Sequence, residues 1–142
     1  MTVQQVYDMA IHLMDEQNET SGETRTVDTQ EYQFRTISIL NTVIPELYPY
    51  SSNFGKEQSE GRPIPPLLKA DSYRSPDFKQ EIGLDEAITA ALLPPYLAAQ
   101  LLSAENDALA QWFMNLYRTA YYRVTAQGTG RFEKIPTPYG LF

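Results

Sequence analysis

A chain of 142 residues has the length of one domain with a modest core, since buried fraction grows with size and chains divide only beyond about 250 residues. It contains no Cys, which excludes a disulfide framework, a thiolate metal site and a cysteine nucleophile, and fits synthesis in the cytoplasm. Eleven Lys and Arg against eighteen Asp and Glu leave a net charge of −7, which argues against an independent DNA- or RNA-binding domain, because cations that neutralise phosphates supply most of that affinity.

The chain opens on MTVQQVYDMA, which has no basic region followed by an apolar one. No stretch approaches the roughly 18 continuous apolar residues of a membrane span, so a soluble, unprocessed chain is expected. Thr2 with Gln5 makes a capping box, and Val3, Val6, Tyr7, Ala10, Leu13 and Met14 form one apolar stripe. This predicts a helix from Val3 to about Gln17, with Gln4, Asp8, His12, Asp15 and Glu16 toward solvent. Residues 18–26, NETSGETRT, are polar and without period, as in a connecting loop. A second helix comes next: Asp28 or Thr29 can cap it, Glu31 favours its first turn, and Phe34, Ile37, Leu40, Val43, Ile44 and Leu47 give it a buried face. Pro45 is expected to kink or end it near Val43.

From Pro49 to Gly83 the composition changes, with Pro63, Pro65, Pro66 and Pro76 among Gly55, Gly61 and several Ser. A long loop is expected, of a length that points to a binding segment or to short strands, Ile64 to Tyr73 being the candidate strand. In one reading it covers the helices, with Ile64, Leu67 and Leu68 pinned to them; in the other it reaches a neighbouring subunit.

A third helix should run from Asp85 to Leu93 and stop at Pro94 and Pro95, where a fourth begins. That fourth run, Tyr96 to Leu102, is apolar nearly all round. Ser103 or Asn106 can cap a fifth helix, in which Leu109, Trp112, Phe113, Leu116, Tyr117, Ala120 and Val124 recur at three- and four-residue steps. Trp112, Phe113, Leu116 and Tyr117 are assigned to the core. Tyr48, Tyr50, Tyr121 and Tyr122 are assigned to a rim or interface, because aromatic rings bury large areas with few rotors. Gly128 and Gly130 should end the helix, and Pro136 and Pro138 should keep the C-terminal residues extended. Phe132, Ile135, Tyr139, Leu141 and Phe142 then form an apolar series spaced by Pro, Gly and basic residues, suited to docking as an extended peptide, although chain ends are ordinarily disordered.

The expected fold is all-α: a small irregular bundle of about five helices over residues 1–127, with the long loop 49–83 inside it and an extended C-terminal arm over 128–142. No enzyme, cofactor or metal site is expected. His12, with Asp8 and Glu16 one turn to either side, is the sole histidine, and such a row on a helix is ordinarily a solvated charge row. A Ser–His–Asp arrangement would have to use His12, and no GxSxG elbow surrounds any serine. Gly128 and Gly130 form a GxG after a helix instead of a strand, and Asp71 with Asp77 or Glu81 with Asp85 read as surface charges.

The ILN…ELYP pattern from Ile39 to Pro49, the PYLAAQLL run from Pro95 to Leu102, the acidic step Glu105 to Asp107 and the aromatic run Trp112 to Tyr117 occur in an order that resembles the bacteriophage or prophage head–tail connector family. These are small virion proteins that sit beneath the portal. The family usually carries a Gly inside the PY…LAA run, where this chain has Leu97 directly after Tyr96. The resemblance implies a structural subunit that assembles with itself into a ring, twelve-fold in the family, docks on the portal protein and offers a platform to tail-proximal virion proteins. DNA would be a passing, non-specific contact, repelled by an acidic lumen, and no membrane is involved. Assembly would occur in the host cytoplasm and the final location would be the virion. The alternative is a small helical regulatory or adaptor module that binds a partner protein through its C-terminal arm, without rings.

Overall fold

The Thr2 capping box forms: Thr2 Oγ1 accepts from Gln5 N at 3.2 Å, and Gln5 Oε1 accepts from Thr2 N at 2.9 Å. It starts α1, Val3–Met14, in a computed structural model that describes residues 1–54, 64–70 and 74–129, the last three as backbone alone. The helix stops short of Gln17, because Asp15 turns left-handed at φ 60° and its N–H returns to the His12 carbonyl at 3.1 Å. Leu13, expected in the buried stripe, is 46% exposed, and Ile11 is buried in its stead. The first-turn N–H groups of Val3 and Gln4, which a helix leaves without internal partners, donate to the carbonyls of Gln80 at 3.0 Å and Phe78 at 2.8 Å. The end of the long loop thus completes the start of α1.

After a 3₁₀ turn at Val27–Thr29, α2 runs Gln30–Leu47 and passes directly into a second 3₁₀ turn, Tyr48–Tyr50. Pro45 neither ends nor interrupts it. The proline is exposed, so its ring meets solvent, while Val43, Ile44 and Leu47 around it are buried and hold the last turns in place.

The largest departure from expectation is α3, Glu86–Leu102, one helix that contains both Pro94 and Pro95 where two helices were expected. Each proline costs a helix about 3 kcal/mol. Both are buried here, however, among Leu92, Leu93, Leu97 and Leu101, and each buried leucine returns about 1.5–3 kcal/mol. Packing therefore outweighs the two missing backbone bonds. The described residues accordingly form four α-helices instead of about five, and the all-α class stands. α3 touches each of the other three helices, which is why it is apolar nearly all round. Its C-terminal carbonyls are satisfied from α2: the Arg35 guanidinium donates to Gln100 O at 3.0 Å and Leu101 O at 3.3 Å.

Asn106 caps the next helix, its Oδ1 accepting from Leu109 N at 3.1 Å, and α4 runs Asp107–Thr129. It continues through Gly128, which was expected to end it; Gly130 lies outside the described residues. None of the helices over the described residues is long and apolar enough to cross a membrane.

The described parts of the loop, 51–54, 64–70 and 74–85, hold no helix and no strand beyond a single antiparallel bridge between Thr2 and Glu81. The strand considered for Ile64 to Tyr73 is therefore not formed over 64–70, and 71–73 lie outside the described residues. Two side-chain amides tie the loop down instead. Asn41 on α2 accepts from Leu68 N at 2.8 Å and donates to Leu68 O at 3.0 Å, and Gln80 makes the same pair of bonds to Lys69 at 2.7 and 2.9 Å. Gly83 is required where Pro66 crosses it, since a Cβ there would stand 2.8 Å from the proline ring. Phe78, fully buried, closes the loop onto Tyr7 with ring centroids 5.0 Å apart.

Candidate interaction surface

On α4, Tyr117 and Tyr121 stand one turn apart and share a face. The 3₁₀ turn after α2 brings Tyr50 beside Tyr121, and α3 brings Tyr96 beside Tyr117. The rings form a continuous row: Tyr96 to Tyr117 at 5.1 Å, Tyr117 to Tyr121 at 6.0 Å, and Tyr121 to Tyr50 at 6.1 Å, edge-on. Tyr122 extends it, 5.9 Å from Tyr121 and 71% exposed. Tyr117 is the buried root of the row, while Tyr50, Tyr96 and Tyr121 are half-buried.

The hydroxyls are tied to neighbours along the same face. Tyr117 donates to Glu46 Oε1 at 2.8 Å, the Tyr96 and Thr42 hydroxyls lie 2.9 Å apart, and the Tyr121 hydroxyl is bonded to Tyr50. Burial and then the Glu46 carboxylate push the Tyr117 hydroxyl well above the ordinary phenol value. The bond to Tyr50, followed by burial, pushes Tyr121 up to about 12. Both phenols therefore stay neutral at physiological pH. This surface offers aromatic faces and hydroxyl hydrogen bonds, the chemistry of recognition.

Of the residues assigned to an interface from sequence, Tyr50, Tyr121 and Tyr122 meet in this row. Tyr48 does not: it is buried against Phe54 at 5.3 Å and donates to the Asn53 carbonyl at 3.2 Å, because the 3₁₀ turn rotates it inward. Leu68 is also buried, held by Asn41, whereas Ile64 and Leu67 are 70% and 55% exposed and are not pinned to the helices. Phe132, Ile135, Tyr139, Leu141 and Phe142 lie outside the described residues.

Tyr96 and Tyr117 belong to the row although helical spacing alone gave only a core reading for Tyr117. Conversely Trp112 and Leu116, assigned to the core, are 55% and 40% exposed. The apolar stripe of α4 is wider than the face that α3 covers, and these two fall on its uncovered shoulder, Trp112 resting edge-on against buried Phe113 at 5.1 Å. The width of the stripe was the available signal.

A second distinctive region is acidic. Asp15, Glu16, Glu19 and Asp28 line a cleft of about 590 Å³ at the end of α1. Glu105, at the α3–α4 corner, accepts from the Tyr32 hydroxyl, and burial followed by Glu105 and Asp15 raises the Glu16 carboxyl above its usual range. Asp8 is engaged structurally, accepting from Gln4 Nε2 and Thr24 Oγ1, both at 2.6 Å, so it ties residues 22–25 to α1 instead of forming a row with His12 and Glu16. Among the described residues no group of three or more His, Asp or Glu is placed to hold a metal ion.

Comparison with protein-family models, with curated proteins and with solved structures finds no match to this chain.

Proposed function

We propose that this chain is a structural virion protein of a phage or prophage, a head–tail connector that forms a ring beneath the portal through which DNA passes. The observation that carries the reading is the tyrosine face: rings drawn from α3, α4 and the turn after α2, in a half-exposed position on an acidic body. Such a face suits burial against protein. The segments that resemble the connector family supply the helices that build it, since Ile39 to Pro49 forms the end of α2 and its turn, Pro95 to Leu102 the second half of α3, and Trp112 to Tyr117 the middle of α4. The net charge of −7 suits a channel wall that DNA passes without sticking. Arm and loop would add apolar contacts between subunits, with Ile64 and Leu67 the exposed loop residues available for it. Electron microscopy of the chain mixed with the portal protein encoded in the same genome tests the reading. An additional ring layer at one end of the portal is expected, and bare portal particles at saturating chain concentration overturn it.

A further inference from the structure

We infer that the tyrosine face is the receptor for the proline-spaced C-terminal segment of a second copy of this chain. The inference rests on the self-assembling reading above only in choosing a second copy over the chain's own segment.

Receptor and segment match in chemistry. Residues 135–139 read Ile-Pro-Thr-Pro-Tyr. Each proline fixes φ near −65° and disfavours the helical region in the residue before it, so the segment is predisposed to the extended polyproline conformation. That conformation leaves its carbonyls unpaired and, at three residues per turn, places Ile135 with Pro138 on one edge and Pro136 with Tyr139 on another, and it is bound elsewhere by grooves lined with aromatic rings. Tyr96, Tyr117, Tyr121 and Tyr50 provide such a row, with centroid steps of 5.1, 6.0 and 6.1 Å, and Tyr122 stands exposed at its edge. Little ordering entropy remains to be lost on binding, because the rings are already fixed by their neighbours and the peptide by its prolines.

Charge favours the same pairing. Residues 130–142 carry Arg131 and Lys134 against Glu133, one net positive charge, so the rest of a chain that totals −7 stands at −8. Two bodies of that charge repel, and the C-terminal segment is the stretch of opposite sign that can cross between them. Glu46 lies on the tyrosine face itself, where it accepts from Tyr117 and is exposed toward an incoming cation.

Geometry sets the direction. α4 stays helical for eight residues past Tyr121, to Thr129, which carries the start of the segment about 12 Å beyond the face on its own chain. A return to that face needs the chain to reverse after Thr129, whereas a neighbour's face is reached by continuing outward. With up to about 3.3 Å per residue, Pro136 can lie as far as some 23 Å from Thr129.

The test uses the full chain with p-benzoylphenylalanine in place of Tyr139, mixed with an equal amount of heavy-isotope full chain and irradiated, with the cross-linked peptides read by mass spectrometry. Heavy–light cross-links to peptides containing Tyr50, Tyr96 or Tyr121 are expected. Pro136→Gly with Pro138→Gly should lower their yield about fivefold or more, in line with the lost preorganisation. Cross-links confined within one chain, or between chains at other peptides, overturn the inference even if the chain assembles. Cross-links at the tyrosine face in a chain that never exceeds a dimer uphold it while removing the ring.

Discussion

Tyr117 combines packing and polarity in one side chain: its ring belongs to the core, 7% exposed, and its hydroxyl donates to Glu46 at 2.8 Å. Tyr117→Phe removes the hydroxyl and leaves the ring, so the expected loss is about 1 kcal/mol, read from the shift of a denaturant midpoint, because exposed Glu46 regains water. The same residue predicts the alkaline behaviour of the fold. Burial and Glu46 raise the folded-state value of Tyr117 above that of the unfolded chain, and Tyr50 and burial do so for Tyr121. A proton held more tightly by the folded state gives stability that is complete below the unfolded value of about 10 and is lost as pH rises through the folded one. Thermal midpoints should therefore fall between about pH 10 and 12, and less steeply in Tyr117→Phe; identical slopes for the two proteins would contradict the assignment. The helical spacing of α4 made the burial of Tyr117 legible in the sequence. Its hydroxyl partner was not, since Glu46 lies 71 positions away and only the packing of α4 beside the end of α2 brings them together. Trp112 failed in the opposite sense: it shares the helical period of Phe113 and Tyr117, and nothing local says where the face covered by α3 stops.

The prolines are where element-scale reasoning and tertiary packing disagree. Pro45, Pro94 and Pro95 each carry the local signature of a helix end, yet α2 and α3 run through them. Their surroundings differ, and so do the consequences of replacing them. Pro94 and Pro95 are buried, so substitution by Ala exchanges a recovered backbone bond for a cavity. Pro45 is exposed, so Pro45→Ala recovers the bond to the Asn41 carbonyl with no cavity. We expect it to stabilise the protein by about 1–2 kcal/mol in a denaturant melt, the helix-propensity gain less the entropy returned to the unfolded chain. A variant no more stable than the parent would show that the end of α2 is held wholly by Val43, Ile44 and Leu47. The caps were readable beforehand, Thr2 with Gln5 and Asn106 with Leu109, because a cap is decided within four residues. The loop was not, because Asn41 and Gln80 tie it down through amide pairs that span 27 and 11 positions.

At the scale of the molecule, α3 is the axis of the fold, in contact with α1, α2 and α4, and its nearly unbroken apolar sequence announced that role. Around it the tyrosine row, the shoulder of Trp112 and Leu116, and the acidic cleft at the end of α1 are distinctive features of the exterior of the described residues. Exposed aromatics on a strongly acidic body motivate the proposed partner, and the order of the motifs motivates the proposed ring. The most direct measurement is the mass of the full chain by light scattering across a concentration series, alone and with the portal protein of the same genome. We predict a closed oligomer of defined mass, formed alone or when the portal is added, whereas a monomer unchanged by concentration and by portal would contradict the connector reading.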